Sequence, residues 1–252
     1  MAQQESIIKL SGKVGDLSFF KTKNGYQARS KGGVSADRIA NDPGYQRTRE
    51  NNVEFSEVAS ASKKIRDILR IMILLTHDPK MASRLTSRVF KMMKADAINV
   101  RGERKVLYES FNILKDFNFN EAAPLNNTLF VVAASSIDRV SGTVEVVIPE
   151  IRPDVHVNKP KGATHFRITA GAALVSLNDE LERGIMEIKD SEFLSIKTTT
   201  TGFTLSSTLP ANALAPIMLV FGVSFYQEVN SVYYSLNNGA FNSLSVVAID
   251  TV

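Results

Sequence analysis

Leu17-Ser18-Phe19-Phe20-Lys21-Thr22 and Tyr26-Gln27-Ala28-Arg29-Ser30 flank Lys23-Asn24-Gly25. Asn-Gly between two β-favouring runs predicts a hairpin, because both residues tolerate the positive φ of a type I′ turn. A two-stranded ribbon is marginal alone in water. It therefore has to lie on something, either its own body or a neighbouring copy. Ser6–Leu10 reads as a further short strand. Gly12 and Gly15 punctuate the approach to the hairpin, and Gly32-Gly33 closes the arm as a joint.

Working outward, the rest of the chain falls into two zones. Asp42-Pro43 predicts a helix start, with Asp as the cap and Pro at the first helical position. Val58, Ala61, Ile65, Ile68, Leu69 and Met72 follow at i, i+3, i+4 spacing on one helix of roughly 30 residues. Asp78-Pro79 ends it and restarts a second helix, whose buried stripe is Met81, Leu85, Val89 and Met92. A third, shorter helix carries Val106, Leu107, Phe111 and Leu114. Connections this short predict an antiparallel helical hairpin or bundle. After Phe117 no such stripe recurs. Short candidate strands appear instead at Thr128–Ala134, Thr143–Ile148, Thr164–Thr169, Ala173–Leu177, Phe193–Thr199, Phe203–Thr208, Met218–Gln227, Ser231–Leu236 and Leu244–Ile249. Their spacing predicts an antiparallel, immunoglobulin-like β-sandwich. The expected layout is α+β: an arm over 1–33, a helical domain over 34–117 and a sandwich over 118–252.

Composition narrows the chemistry. There is no cysteine, so disulfides and thiolate metal sites are excluded. The N-terminus lacks a basic segment followed by a long apolar run, so no Sec-type signal is visible and no stretch nears spanning length. These features predict a soluble protein made in the cytoplasm, compatible with release as an extracellular particle, and no membrane insertion. Residues 1–116 hold 22 Lys+Arg against 13 Asp+Glu, and residues 117–252 hold 8 against 13. A basic front and an acidic back favour head-to-tail contact between copies. The plainer reading is a basic helical bundle beside an acidic β domain.

Candidate catalytic patterns fail on spacing. Ser11-Gly12-Lys13-Val14-Gly15 lacks the four-residue gap and the Ser or Thr after Lys that a phosphate loop needs. His77, His156 and His165 form no metal-binding spacing. Asp179, Glu180 and Glu182 crowd one polar loop, where adjacent acids are normally solvated. No nucleophile elbow occurs, and the chain is expected to be non-enzymatic, without cofactor or metal. The set Lys9, Lys13, Lys21, Lys23, Arg29 and Lys31, interleaved with Phe19, Phe20 and Tyr26, suits nucleic acid. It equally suits an edge kept from promiscuous pairing. Arg47 and Arg49 stand at the positive end of a helix, a placement that asks for partner carboxylates.

Several runs occur in a definite order. These are Gly12-Lys13-Val14-Gly15, the Phe-rich strand, Gly25-Tyr26 and Arg29, Asp42-Pro43, then Arg49-Glu50-Asn51. Gly162-Ala163-Thr164-His165-Phe166-Arg167 and Phe225-Tyr226-Gln227-Glu228-Val229-Asn230 follow. Together they resemble a set of uncharacterised bacterial proteins with a basic N-terminal ribbon, a helical middle and a β-sandwich tail. The resemblance spans most of the chain. It implies a phage-like or tube-forming structural character and transfers no activity or site residue.

The expected function is a structural subunit that self-assembles into a tube, filament or phage-like particle. Its arm pairs with neighbouring subunits through Leu17, Phe19, Phe20, Tyr26, Arg29, Arg47 and Arg49. Two other readings stand beside it. One is a carbohydrate- or protein-binding module that uses Tyr226, Tyr233 and Tyr234 of the sandwich. The other, less favoured, is nucleic-acid binding through the basic front half.

Overall fold

The computed structural model describes residues 2–5, 7–30, 32–177 and 184–251. The Asp179, Glu180 and Glu182 cluster and Lys31 lie outside the described residues. The chain divides into two compact units, Met1–Asn51 and Asn52–Val252. That division falls after Asn51 rather than after residue 33.

The first unit holds a four-stranded antiparallel sheet, ordered β1-β4-β3-β2, with β1 Ala2–Gln3, β2 Gly12–Val14, β3 Leu17–Thr22 and β4 Gly25–Ser30. The expected hairpin is β3–β4, paired from Leu17↔Ser30 to Thr22↔Gly25. Its turn differs in detail. The positive φ falls on Gly25 (101°) and not on Asn24, so Lys23-Asn24 form the bend and the glycine absorbs the twist. Of the expected strand Ser6–Leu10, Ser6 lies outside the described residues and residues 7–10 form no strand. The outer partners are instead β1, two residues on β4, and β2, three residues on β3. Pieces this short carry no readable periodicity. Helix α1 (Ala36–Asn41) follows, with the Ser35 hydroxyl accepting from the Arg38 amide at 3.3 Å. Asp42 caps the next turn through the Gly44 amide at 2.9 Å, ahead of Pro43.

The second unit is mixed helix and antiparallel sheet. Helix α2 (Gln46–Ile68) brings the chain into it. The expected 30-residue helix is interrupted at Leu69 (φ −85°, ψ 6°) and resumes as α3 (Arg70–Ile73). Helix α4 (Met81–Lys94) buries Met81, Leu85, Val89 and Met92, the stripe its spacing requires. The third helix is a 3-10 segment, Tyr108–Leu114, that buries Phe111 and Leu114.

Two short helices, α5 (Leu125–Thr128) and α6 (Pro153–His156), interrupt the β region. A small sheet has the order β10-β6-β5: β5 Ala134–Asp138, β6 Thr143–Ile148 and β10 Phe203–Thr208. The large sheet runs β12-β11-β7-β8, with β13 also on β11 and β9 on β7. Its strands are β7 His165–Leu174, β8 Ile185–Asp190, β9 Leu194–Ser195, β11 Ile217–Val229, β12 Val232–Ser235 and β13 Ser243–Asp250. The sheets are antiparallel and one is curled into a half-barrel.

Strand β11 explains the layering. Ile217 to Phe225 is buried without a break, so both of its faces need cover. Met218 and Val220 join Ala173 and Val175 of the β7 region against Ile65, Met72 and Leu85 of the helices. Ile217, Leu219 and Phe221 join Leu174 and Ile168 against Val144, Val146 and Ile148 of the small sheet. Each fully buried side chain of this kind contributes about 1.5–3 kcal/mol. The helices and the large sheet therefore share a core.

Two buried carboxylates hold the loop from helix α4 to the 3-10 segment: Glu54, which accepts from the Gly102 amide at 3.0 Å, and Asp96. Asp96 accepts from the Ile98 and Asn99 amides (2.9 and 3.0 Å), the Asn99 side chain (2.7 Å) and the Lys105 amide (3.0 Å). The Asn99 side-chain bond first, then the Lys105 and Asn99 amides, hold its carboxyl well below the ordinary value of 3.8. A depressed folded value means the stabilisation is full above the ordinary carboxylate range and fades as pH falls below it. The urea midpoint of Asp96→Ala should therefore fall furthest behind the parent at pH 7, and the gap should narrow at pH 3. A gap independent of pH would contradict the charged-acceptor account.

Candidate assembly surface

The N-terminal sheet alternates its side chains with period two. Leu17, Phe19 and Lys21 lie on one face with their partners Val14, Ala28 and Tyr26. Ser18, Phe20 and Thr22 lie on the other, with Lys13, Arg29 and Gln27. The residues expected to form one interface are thus split. Leu17, Phe19 and Tyr26 build an apolar face, and Phe20 and Arg29 build a basic one. Lys21 sits over the Tyr26 ring at 5.5 Å, and Arg29 over Phe20 at 5.4 Å. The basic groups thus cover aromatic rings that base stacking would need.

No described residue of this unit is buried. Phe19, Phe20 and Tyr26 of its sheet are half-buried. Val14 and Leu17 stand exposed, as do Ile7, Ile8 and Leu10 in the connection between β1 and β2. That connection is held by Gln4, whose side chain accepts from the Leu10 amide at 2.9 Å and whose carbonyl takes the Lys9 ammonium.

The two helix-start arginines part company. The Arg49 guanidinium donates to the Ile39 and Asp42 carbonyls at 2.8 and 2.9 Å, near the end of α1. Carbonyls at a helix C-terminus are natural acceptors for a cation, so Arg49 braces its own unit and needs no carboxylate. Arg47 is exposed.

Elsewhere the candidate residues are accounted for locally. Lys13 lies exposed in β2, and a strand follows it rather than a helix. The His156 Nδ1 accepts from the Arg152 amide, whereas His165 lies beside Thr164 and 3.7 Å from Glu228. Among the described residues no group of three or more His, Asp or Glu could hold a metal. Nor is any of their helices long and apolar enough to cross a membrane. Tyr233 stacks on Phe193 at 4.0 Å, Tyr226 meets the same ring edge-on, and Arg167 covers it at 5.0 Å. Burial, the largest influence, raises the Tyr226 hydroxyl pKa. Of the three tyrosines considered for a binding surface, Tyr234 alone is exposed.

One surface escaped the sequence reading. Residues 128–134 resemble a strand in composition, yet α5 occupies their start and β5 begins only at Ala134. The signal was present in the alternation of Leu129, Val131 and Ala133 with Phe130 and Val132. What the alternation could not reveal is that this strand has no neighbour on one side.

The class these features define is an α+β chain of antiparallel sheets and helices with a four-stranded N-terminal sheet. No protein-family model, curated protein or solved structure matches it.

Proposed function

We propose that this protein is a structural subunit that self-associates, with the N-terminal sheet making the contact between copies. One observation carries the reading: a complete four-stranded sheet in which no described residue is buried. An apolar face made of Val14, Leu17, Phe19 and Tyr26 gains free energy only when something covers it, and exposed patches of this kind mark association sites. Contacts between unlike surfaces of identical subunits propagate as rings or helical filaments. The opposed charges of the two halves of the sequence give such a stack its polarity. Two antiparallel sheets facing across one core support an immunoglobulin-like reading of the body. Phage-like particles and tubes are the assemblies that suit it.

Removal of residues 1–33 tests this. The full chain is expected to form uniform assemblies at high concentration by negative-stain microscopy and sedimentation, and the truncated chain to remain a folded monomer. Assemblies that survive the truncation would refute the role of the sheet.

A further inference from the structure

Strand β5, at the edge of the small sheet, and β13, on β11 of the large sheet, share no ladder. At the other edge of the small sheet β10 packs against β8. Strand β5 pairs with β6 on one edge only. Strand β13 pairs with β11, and its outer edge is covered by residues 116–119. There the Asp116 amide donates to the Val246 carbonyl at 2.9 Å, and the Phe119 amide to the Leu244 carbonyl at 2.8 Å. That cover ends at Val246, where a bulge opposite Leu219/Val220 shifts the register. Beyond it lies a cleft of about 370 Å³, lined by Leu125, Leu129, Val131, Val146, Phe221 and Val247. Arg139, just past β5, donates to the Asp250 carboxylate at 2.7 Å and the Asp250 carbonyl at 2.8 Å.

The chain leading into β5 extends this open edge. Leu129, Val131 and Ala133 pack on the core, while Phe130 and Val132 are 54% and 89% exposed. The backbone of this stretch is tied at its start by the Leu129–Val157 bridge and the Phe130 amide on the His156 carbonyl (2.9 Å). From Leu129 to Asp138 there is no lysine and no proline, the residues that normally guard an exposed edge.

We propose that this edge and cleft receive the Ile7–Leu10 segment of a second copy of the chain. The idea rests on the self-association reading and names its acceptor. An occupant must satisfy main-chain donors and acceptors beyond Phe130, along 131–138, and place apolar side chains in the cleft. An added peptide strand does both. Ile7 is 101% exposed, and Ile8 and Leu10 are exposed beside it. The charges agree in sign. Residues 1–51 hold 9 Lys+Arg against 5 Asp+Glu, Lys9 lies in the donor segment, and the acceptor edge carries Asp138 with no basic residue. A short strand alone makes a small, weak interface, which repetition along a polymer strengthens by avidity.

Absence of native cysteine makes the test direct. I7C/V132C in the full chain, oxidised at assembling concentration, should give a ladder of covalent multimers on a non-reducing gel. Ile7→Asp and Val132→Asp change exposed side chains and should leave the fold intact. Each should raise the concentration needed for association about tenfold or more, a change of about 1.4 kcal/mol. Mixed together, the two Asp variants should stop at heterodimers, because one intact donor then meets one intact acceptor. Absence of the ladder, a cross-link within single chains, or unchanged association by both Asp variants would overturn the proposal. If both Asp variants assemble normally and truncation of residues 1–33 does not, self-association stands and this acceptor falls. A parent chain that stays monomeric at every concentration removes both.

Discussion

Asn242→Ala is expected to lower the unfolding free energy by about 2–5 kcal/mol, read from the urea midpoint at constant slope. The Asn242 amide is buried and works at both ends. Its oxygen accepts from the Phe225 amide at 2.9 Å, and its nitrogen donates to the Leu75 carbonyl at 2.7 Å. One side chain thus ties β11 to the end of the helical layer. Asn120 extends the network by donating to the Ala240 and Asn242 carbonyls at 2.9 and 2.8 Å. Truncation strands two main-chain groups away from water, which costs more than the bonds themselves are worth. The same corner needs Gly239. It has φ of +80°, and a β-carbon there would collide with the Leu75 carbonyl oxygen. A loss below about 1 kcal/mol for Asn242→Ala would mean that water can replace the amide, contrary to its burial.

Phe166→Ala is expected to cost about 3–5 kcal/mol. The Phe166 ring is fully buried opposite Phe225, on the face of the large sheet that meets the small one. The loss combines transfer of the ring to water with a cavity between two sheets that cannot close over it. Thermal unfolding of the larger unit should fall by roughly 2–4 °C for each kcal/mol. Tyr234→Ala, at an exposed aromatic position on β12, should change stability by no more than about 0.5 kcal/mol. If both substitutions have equal effects, the buried pair is not the organising contact of that core.

The parts of this fold legible in the sequence are those with a repeating period or a committed turn. Met81, Leu85, Val89 and Met92 recur at helical spacing, and one face of α4 is buried as a result. Asn24-Gly25 announced the hairpin, although only Gly25 takes the positive φ. The expected strand Ser231–Leu236 starts at Val232, because Asn230 and Ser231 take left-handed turn conformations. Illegible were the two- and three-residue strands β1 and β2, which are too short to alternate. The expected strand at Phe193–Thr199 shrank to Leu194–Ser195, with the Ile196 amide still donating to the Thr164 carbonyl at 3.1 Å. The shared core of helices and sheet was also hidden. An unbroken apolar run such as Ile217–Phe225 reports burial on two faces but not what covers each one.

The candidate surface was legible in its residue types and not in its geometry. Leu17, Phe19 and Tyr26 share a face because the register puts them there, and Phe20 and Arg29 fall on the opposite one. Charge alone suggested that Arg49 seeks a carboxylate. The nearer acceptors are two backbone carbonyls, which no composition statistic displays. The open edge at 131–138 was hidden for the opposite reason: strand character is local, whereas the lack of a neighbour is a property of the finished sheet.

Strand β11 has a consequence for how the protein is made. It pairs with β7, which precedes it by some 40 residues, and with β12 and β13, which follow it. A nascent chain emerging from the ribosome can therefore bring β7 and β11 together, but one edge of β11 stays bare until translation has passed Asp250. During that interval the most apolar segment of the protein is only half paired, and its growth window is the period in which chaperone engagement matters most.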